Sequence, residues 1–266
     1  MRTFSAEYLR ETRAGMWAES RAALEPLALP TRDRVLDVGC GTGELTQVLA
    51  EETPGDVVGL DADRDLIAVA ADGGLAVAQG DALSLPFPDD SFDLVVCQAL
   101  LINLPDPAAA VREFARVSSD LVAAVEPDNG AVSVRSTVPT ESQLAASARD
   151  AYIAGVDTDV TLGDAAAGLL RKAGLDDVET RTHYHTKTIE PPYSEADLEA
   201  ARRKATATTV ADARETLLAG DLTVAEFDAL LTDWRRMGRE VVDQMSREEY
   251  RRAEVVPFHV TVGRTR

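Results

Sequence analysis

The sequence contains few cysteines and no long apolar run. Its 266 residues include only two cysteines, Cys40 and Cys97, which are too few for a disulfide framework or for a metal site built on sulfur ligands. No apolar stretch approaches the roughly 20 residues that a membrane-spanning helix needs. The first residues, MRTFSAEY, lack the apolar core of a secretory signal, so we expect a cytoplasmic protein.

Positive charge is also scarce, and lysine is almost absent. The formal net charge is −19 at pH 7, and the only lysines are Lys172, Lys187 and Lys204. A surface of this charge repels nucleic acids and anionic membranes, so we expect neither nucleic-acid binding nor membrane insertion. An acidic, lysine-poor composition is typical of proteins from salt-loving organisms or GC-rich genomes. We favour that explanation over an acidic docking surface.

Short apolar runs alternate with helical patterns through the first half of the chain. The predicted strands are 34–38, 56–60, 75–79, 92–98 and 120–126. The predicted helices between them are 43–52, 63–71 and 107–117. Strands separated by helices at this spacing predict βαβ units, so we expect an α/β fold with a mostly parallel sheet and helices on both faces.

The pattern changes after Pro127. Helices are predicted at 141–153 and 162–173, and strands at 177–187 and 254–262. A helix over 5–28 precedes the first strand. The predicted parts are an N-terminal helical cap (1–30), a core (31–193 and 250–266) and a polar helical insertion (194–249). The insertion is either a lid over a substrate pocket or packing decoration.

A glycine-rich turn follows the first predicted strand, in the segment VLDVGCGTGELT from Val35 to Thr46. Glycines at alternate positions let the backbone turn tightly, and the helix that follows presents unpaired N–H groups to a ligand. A dinucleotide fingerprint needs a further glycine where this chain has Glu44, and a glutamate would repel a pyrophosphate. The turn therefore predicts a nucleotide-like ligand without phosphates at that point.

Two aspartates strengthen this prediction. Asp61 ends the second predicted strand, 20 residues after Gly41, where a carboxylate can accept hydrogen bonds from both ribose hydroxyls. Asp81 follows the third strand, where it can accept from an exocyclic adenine amine. Either aspartate alone is more often a turn residue or a helix cap. Their coincidence with the glycine turn is what indicates an adenosine site.

These segments resemble the successive motifs of class I S-adenosyl-L-methionine (SAM)-dependent methyltransferases, nearest to the ubiquinone and menaquinone biosynthesis type (methyltransferase type 11). Val35–Thr46, Val58–Asp61 and Gly80–Asp93 carry the resemblance, and Glu126-Pro127 also fits it. The run LINLPDP from Leu101 to Pro107 departs from the group's pattern because it lacks the usual histidine. The resemblance implies a Rossmann-like sheet of seven strands with an antiparallel last strand.

The resemblance also implies a set of cofactor-binding residues. They are Asp37, Gly39, Cys40, Gly41, Gly43, Asp61, Ala62, Asp81, Ala82 and Gln98. The glycines would line the methionine part of SAM, and Asp61 would bind the ribose. Asp81 would contact the adenine, and Gln98 would lie near the methionine part and the methyl acceptor.

Methyl transfer from SAM requires in-line alignment of the acceptor, and a general base only if the acceptor loses a proton as it attacks. The sequence identifies no catalytic residue; the candidate bases are Tyr8, Glu126, His183, Tyr184 and His185. His183 and His185 would share one face of a strand. We interpret that pair as a surface or pocket-wall feature and expect no metal site.

We therefore predict a SAM-dependent methyltransferase that acts on a small organic acceptor. Three alternatives stay open: a SAM-binding protein without catalysis, a methyltransferase with a macromolecular acceptor, and a nicotinamide-dependent oxidoreductase. The motifs indicate the methyl donor, but they identify neither the acceptor nor the oligomeric state.

Overall fold

The computed structural model describes Ala6, Leu9, Met16, Trp17 and residues 21–266. Most of the helix predicted over 5–28 therefore lies outside the described residues. Within them, Ala22–Leu27 form a 3-10 helix instead of an α-helix, and this helix contains Pro26, which has no N–H to donate. The chain then turns at Ala28, whose φ of 52° lies in the left-handed region.

The chain divides into two compact units. The first unit comprises Met1–Pro127, Leu162–His183 and Phe258–Arg266. The second unit comprises Asp128–Thr161 and Tyr184–Pro257. The second unit thus includes a segment well before the helical insertion predicted at 194–249. The predicted cap, core and insertion stay a prediction.

The described residues form a mixed sheet of eight strands. The strands are β1 (Arg34–Val38), β2 (Asp56–Asp61), β3 (Val77–Gln79), β4 (Phe92–Gln98), β5 (Ser118–Pro127), β6 (Ser133–Ser136), β7 (Asp176–Ile189) and β8 (Arg252–Arg264). Their order is β3-β2-β1-β4-β5-β8-β6, and β7 also pairs with β8. All pairs among β1 to β5 are parallel, whereas β8 is antiparallel to β5 and to β6.

This sheet confirms the predicted α/β, Rossmann-like fold with an antiparallel last strand. The predicted number of seven strands is wrong for the described residues, because β6 adds an eighth. Its four residues, SVRS, are too short a run to carry a strand pattern of their own.

Nine α-helices accompany the sheet in the described part of the chain. They are α1 (Glu44–Glu52), α2 (Arg64–Asp72), α3 (Pro107–Val117), α4 (Glu141–Gly155), α5 (Ala166–Lys172), α6 (Glu195–Thr206), α7 (Thr208–Asp212), α8 (Arg214–Ala219) and α9 (Val224–Ser246). Local signals set several of their ends. Ser194 and Thr223 form capping boxes at the starts of α6 and α9, and Ala207, with a φ of 58°, separates α6 from α7.

The core of the first unit surrounds the central strands. Leu94, Val95, Val96 and Cys97 of β4 are fully buried, as expected for a strand covered on both faces. The helix α3 buries Phe114 in an apolar cluster that includes Val95 and Cys97 of β4. This packing holds the ends of β1, β2 and β4, where the predicted ligand-binding residues lie.

The second unit is mainly helical and packs its helices closely. A Cβ on Gly238 of α9 would lie 2.4 Å from the backbone nitrogen of Ala205 in α6, so only glycine permits this approach. Apolar residues such as Phe227 and Met237 bury one face of α9. Among the described residues, no helix is long and apolar enough to cross a membrane.

Candidate functional site

The glycine loop between β1 and α1 is built on left-handed backbone conformations. Gly39 has a φ of 74°, Gly41 of 56° and Gly43 of 91°. The N–H groups of Gly39 and Cys40 both donate to the carbonyl oxygen of Leu60, at 2.7 and 3.0 Å. The loop is therefore fastened to the carboxyl end of β2.

Leucine side chains also pack closely against two of these glycines. A Cβ on Gly39 would lie 2.8 Å from Cδ1 of Leu100, and a Cβ on Gly43 would lie 2.3 Å from Cδ1 of Leu75. Positive φ angles already disfavour side chains at both positions. The backbone conformation therefore favours glycine at both positions, and a side chain there would also have to displace a neighbouring leucine.

Asp61 connects the loop to the end of β2. Its Oδ2 accepts a hydrogen bond from the N–H of Gly41 at 2.9 Å, and its Oδ1 accepts one from the N–H of Asp63 at 2.9 Å. A carboxylate oxygen has two lone pairs, so each oxygen keeps one acceptor position. The carboxylate is thus held by uncharged donors and retains the capacity to bind two hydroxyl groups.

The predicted adenine residues lie next to Asp61 along the sheet edge. The N–H of Gly80 donates to the carbonyl oxygen of Asp61 at 3.0 Å, which brings Asp81 to this edge. Asp81 is exposed, and its Oδ1 accepts from the N–H of Leu83 at 2.9 Å. Ala62 is exposed, whereas Ala82 is buried in the core.

Asp37 and Cys40 are buried residues that connect the glycine loop to its neighbouring elements. Asp37 is 1% exposed, and its Oδ2 accepts a hydrogen bond from the hydroxyl of Thr46 in α1 at 2.6 Å. Cys40 is 2% exposed and packs toward Gly59, where a Cβ would lie 2.9 Å from its Sγ. Through these contacts, Asp37 connects β1 to α1, and Cys40 packs against β2.

Glu44 begins α1 directly after the last glycine. One of its carboxylate oxygens accepts a hydrogen bond from the hydroxyl of Thr42 at 2.5 Å. The other, Oε2, is buried and has no hydrogen-bond partner among the described residues. The sequence places this glutamate where a pyrophosphate would be repelled, and the structure adds an unsatisfied acceptor at the start of the helix.

Gln98 at the end of β4 holds the segment around Trp17. The indole N–H of Trp17 donates to Oε1 of Gln98 at 3.3 Å, and Nε2 of Gln98 donates to Sδ of Met16 at 2.9 Å. Gln98 is 2% exposed and Trp17 is 6% exposed. The indole also stacks on His183, with 5.4 Å between ring centroids. This arrangement is invisible in the sequence, because 81 residues separate Trp17 from Gln98.

Glu126 at the end of β5 caps the backbone that follows β4. Its Oε1 accepts from the N–H groups of Leu100 at 3.1 Å and Leu101 at 2.9 Å, and its Oε2 accepts from that of Ile102 at 3.4 Å. Burial raises the pKa of this fully buried carboxyl to about 7, although the three N–H groups act against the rise. In the sequence, the Glu126-Pro127 dipeptide contributes to the family resemblance but does not indicate the hydrogen bonds to residues 100–102.

The candidate bases occupy different surroundings. Tyr184 is 65% exposed, and His185 is buried. His183 is half-buried against Trp17, and burial lowers its pKa. Tyr8 lies outside the described residues. Among those that the structure describes, no group of three or more His, Cys, Asp or Glu side chains is arranged to hold a metal ion.

Comparison with known proteins gives a consistent result for this part of the chain. Residues 36–120 match a family model described as a methyltransferase domain. A 2-phytyl-1,4-naphtoquinone methyltransferase from Synechococcus elongatus is 39% identical over 107 residues, which cover 36% of this chain and 46% of that protein. A demethylmenaquinone methyltransferase from Lactiplantibacillus plantarum is 38% identical over 108 residues, which cover 36% of this chain and 45% of that protein.

A solved structure shares the fold over most of the chain. The YcgJ protein from Bacillus subtilis superposes with a TM-score of 0.53 at 17% identity, covering 91% of this chain and 96% of that one. The chain spans less than half the length of the two curated quinone methyltransferases. Over residues 36–120, the predicted resemblance to class I SAM-dependent methyltransferases of the ubiquinone and menaquinone type is confirmed.

Proposed function

We propose that the first unit binds SAM at the ends of β1, β2 and β4, and that the protein transfers the methyl group of SAM to a small organic acceptor. The observation that carries the proposal is the Asp61 carboxylate, which is tied to the N–H of Gly41 and keeps one acceptor position on each oxygen. Two free acceptor positions at a glycine loop match the two hydroxyls of a ribose.

The residues at this edge fit the other parts of SAM. The ammonium group of its methionine part calls for an acceptor, and the buried Oε2 of Glu44 lacks a partner among the described residues. The exposed carboxylate of Asp81 is available to an adenine amine beside the buried Ala82. The loop has no lysine or arginine of the kind that binds a phosphate, which agrees with a ligand that has none.

When bound, SAM supplies an electrophilic methyl group on a sulfonium sulfur. The chain's own residues would then bind SAM, orient it toward the acceptor and exclude water from the site. Asp61 and the glycine loop would fix the cofactor, and proximity and orientation can lower a barrier by several kcal/mol, up to about 7–11 in ideal cases. Trp17, held by Gln98 and His183, would cover the end of β4 with an apolar surface.

We assign no proton transfer to Glu126. Both of its oxygens accept hydrogen bonds from backbone N–H groups, and its side chain is fully buried. A general base must reach the proton that it removes. Glu126 is therefore better suited to hold Leu100, whose side chain packs against Gly39 of the loop.

The two curated relatives are both named as quinone methyltransferases. We therefore propose a quinol-type aromatic ring as the acceptor class to test first. The test supplies the full-length protein with SAM and reduced naphthoquinones and measures the release of S-adenosylhomocysteine. Release that depends on the quinol supports the proposal. SAM binding without release for any small aromatic acceptor would overturn the transfer step.

Cofactor binding has a separate test in Asp61→Asn. Asparagine has a single acceptor oxygen and no charge, so we expect the dissociation constant of S-adenosylhomocysteine to rise at least about tenfold, as when a charged hydrogen bond is lost. The matched control is Asp65→Asn in α2, which removes an exposed carboxylate of the same unit. Equal affinities of both variants in calorimetry would contradict the assignment of Asp61.

A further inference from the structure

A cleft of about 300 Å³ lies within the second unit, where β6 ends and β8 begins. Its lining includes Arg135, Thr137, Thr188, Glu190, Arg251 and Arg252. The volume is at the lower end of pockets that hold small molecules. Three guanidinium-bearing residues around one cleft are unexpected in a chain with a net charge of −19.

The strand register assigns these arginines to two faces. In the antiparallel pair of β6 and β8, Arg135 lies opposite Ala253, and Ser136 lies opposite Arg252. The N–H of Thr137 donates to the carbonyl oxygen of Arg251 at 3.0 Å, which continues the pairing by one residue. Side chains alternate between faces along a strand, so Arg135 and Arg251 share one face and Arg252 lies on the other.

The face of Arg252 is neutralised by carboxylates. A nitrogen of Arg252 lies 2.5 Å from Glu254, and another lies 3.2 Å from Glu141. Glu141 also receives hydrogen bonds from Ser136 at 2.5 Å and from the hydroxyl of Tyr250. This arginine is therefore part of the folded structure of the second unit, and its charge is already compensated.

The face of Arg135 and Arg251 is not neutralised in this way. Within the described part of the chain, neither side chain has an ion pair or a side-chain hydrogen bond. The two arginines are diagonal neighbours on one face, a position from which long side chains reach each other. Two like charges in this arrangement repel each other, and an anion between them would offset that repulsion. Glu190 is the only carboxylate in the lining of the cleft, and it is exposed.

Other cations of this unit lie beside Glu141 and Glu254, which compensate them. Lys187 and Lys204 are two of the three lysines in the chain, and both belong to this unit. Arg252, Lys187 and Lys204 together lower the pKa of Glu254, against the effect of its burial, which indicates that all three cations lie close to that carboxylate. With three arginines and one glutamate in its lining, the cleft itself is locally positive in a strongly acidic protein.

We propose that Arg135 and Arg251 bind a small oxyanion, a phosphate or carboxylate group, in this cleft. The planar guanidinium fork donates parallel hydrogen bonds to such groups, and two forks on one face can hold one anion from two sides. Thr188 provides a further hydroxyl at the wall. The proposal does not depend on methyl transfer, because both arginines belong to the second unit and act on the anion alone.

Calorimetry of the full-length protein at low ionic strength tests the proposal with two probes, inorganic phosphate and succinate. We expect at least one of them to bind, and the stronger of the two identifies the source of the oxyanion. Arg135→Gln and Arg251→Gln should each weaken binding about tenfold, the usual effect of losing a charge-assisted hydrogen bond. Glu190→Gln should tighten binding a few-fold, because it removes the opposing charge.

The control is Arg239→Gln, which removes one exposed arginine of α9 in the same unit and changes the net charge equally. It should leave the affinity within about twofold, as expected for a screened surface charge. Absence of binding for both probes would overturn the proposal. Equal weakening by Arg239→Gln would also overturn it, since the attraction would then belong to the whole surface.

Discussion

Two buried glutamates, one in each unit, are held in opposite ways. Glu126 of the first unit accepts hydrogen bonds from three uncharged backbone N–H groups. Glu141 of the second unit contacts the ammonium of Lys204 and the guanidinium of Arg252. Burial raises the pKa of Glu126 to about 7, whereas for Glu141 the cations, Lys204 foremost, outweigh the effect of burial and lower the pKa.

The difference separates two ways in which a carboxylate is used within the fold. In the first unit, Asp37, Asp61 and Glu126 accept from hydroxyl or backbone donors and shape the loops at the sheet edge. In the second unit, Glu141 joins Ser136, Lys204, Tyr250 and Arg252 and connects separate elements. At Asp61, uncharged donors leave acceptor positions for a ligand, whereas at Glu141 the cations complete ion pairs within the protein.

The largest expected effect is on the stability of the second unit. Glu141→Gln leaves Lys204 and Arg252 without their shared carboxylate, and breaking a buried ion pair typically costs about 3–5 kcal/mol. Urea unfolding should therefore show a large decrease in the free energy of unfolding. The Trp17→Phe background leaves Trp234 as the only tryptophan, so its fluorescence reports on the second unit. Glu199→Gln, in an exposed pair with Arg202, is the control and should change little. Similar urea midpoints for Glu141→Gln and Glu199→Gln would show that the cations around Glu141 do not stabilise the second unit.

The next effect is a pH dependence in the first unit. The pKa of Glu126 rises from 4.5 to about 7 on folding, so its stabilising contribution is present below pH 4.5 and is lost as the pH rises through 7. Relative to Glu126→Gln, the wild type should lose about 3 kcal/mol of unfolding free energy over this window. Urea unfolding at several pH values measures this slope. The control is Asp72→Asn, at the exposed end of α2, whose unfolding free energy should differ from that of the wild type by the same amount at every pH. The prediction would be contradicted if the difference between Glu126→Gln and the wild type were also independent of pH.

A smaller effect is expected from the glycine loop. Gly39→Ala introduces a Cβ at a φ of 74° and 2.8 Å from Leu100, so we expect a loss of about 1–2 kcal/mol in unfolding free energy. A second change, Leu100→Ala, should relieve the contact but not the backbone strain. Gly168→Ala in α5 meets no atom within 4 Å and should be neutral or stabilising. A destabilisation by Gly168→Ala equal to that by Gly39→Ala would refute this account.

The smallest effect extends the comparison to a histidine. Burial lowers the pKa of His183, which stacks on Trp17 in the first unit. Trp17→Ala exposes the imidazole, so its pKa should rise toward the ordinary value in an NMR titration. Trp17→Phe keeps an aromatic ring and should leave the pKa lowered. A pKa that stays low in Trp17→Ala would mean that another contact controls it.

Much of the first unit follows from local sequence patterns. The alternation of apolar runs and helices predicts β1 to β5 and their parallel pairing, and the strand predicted over 92–98 has the observed bounds of β4. The second unit is less predictable. Its helical character is clear from 194 onward, but the sequence gives no indication that Asp128–Thr161 belongs with it or that β6 pairs with β8.

The sequence by itself determined the glycine loop and the positions of Asp37, Asp61 and Asp81 at strand ends, because short-range patterns and strand periodicity decide those features. Only the tertiary structure decided what the buried polar groups contact. Glu141 accepts a hydrogen bond from Tyr250, 109 residues away, and Gln98 accepts one from Trp17, 81 residues away. Such contacts depend on strand register and helix packing, which bring together residues with no local relation in the sequence. The same register sets Arg135 and Arg251 side by side on one face of the second unit.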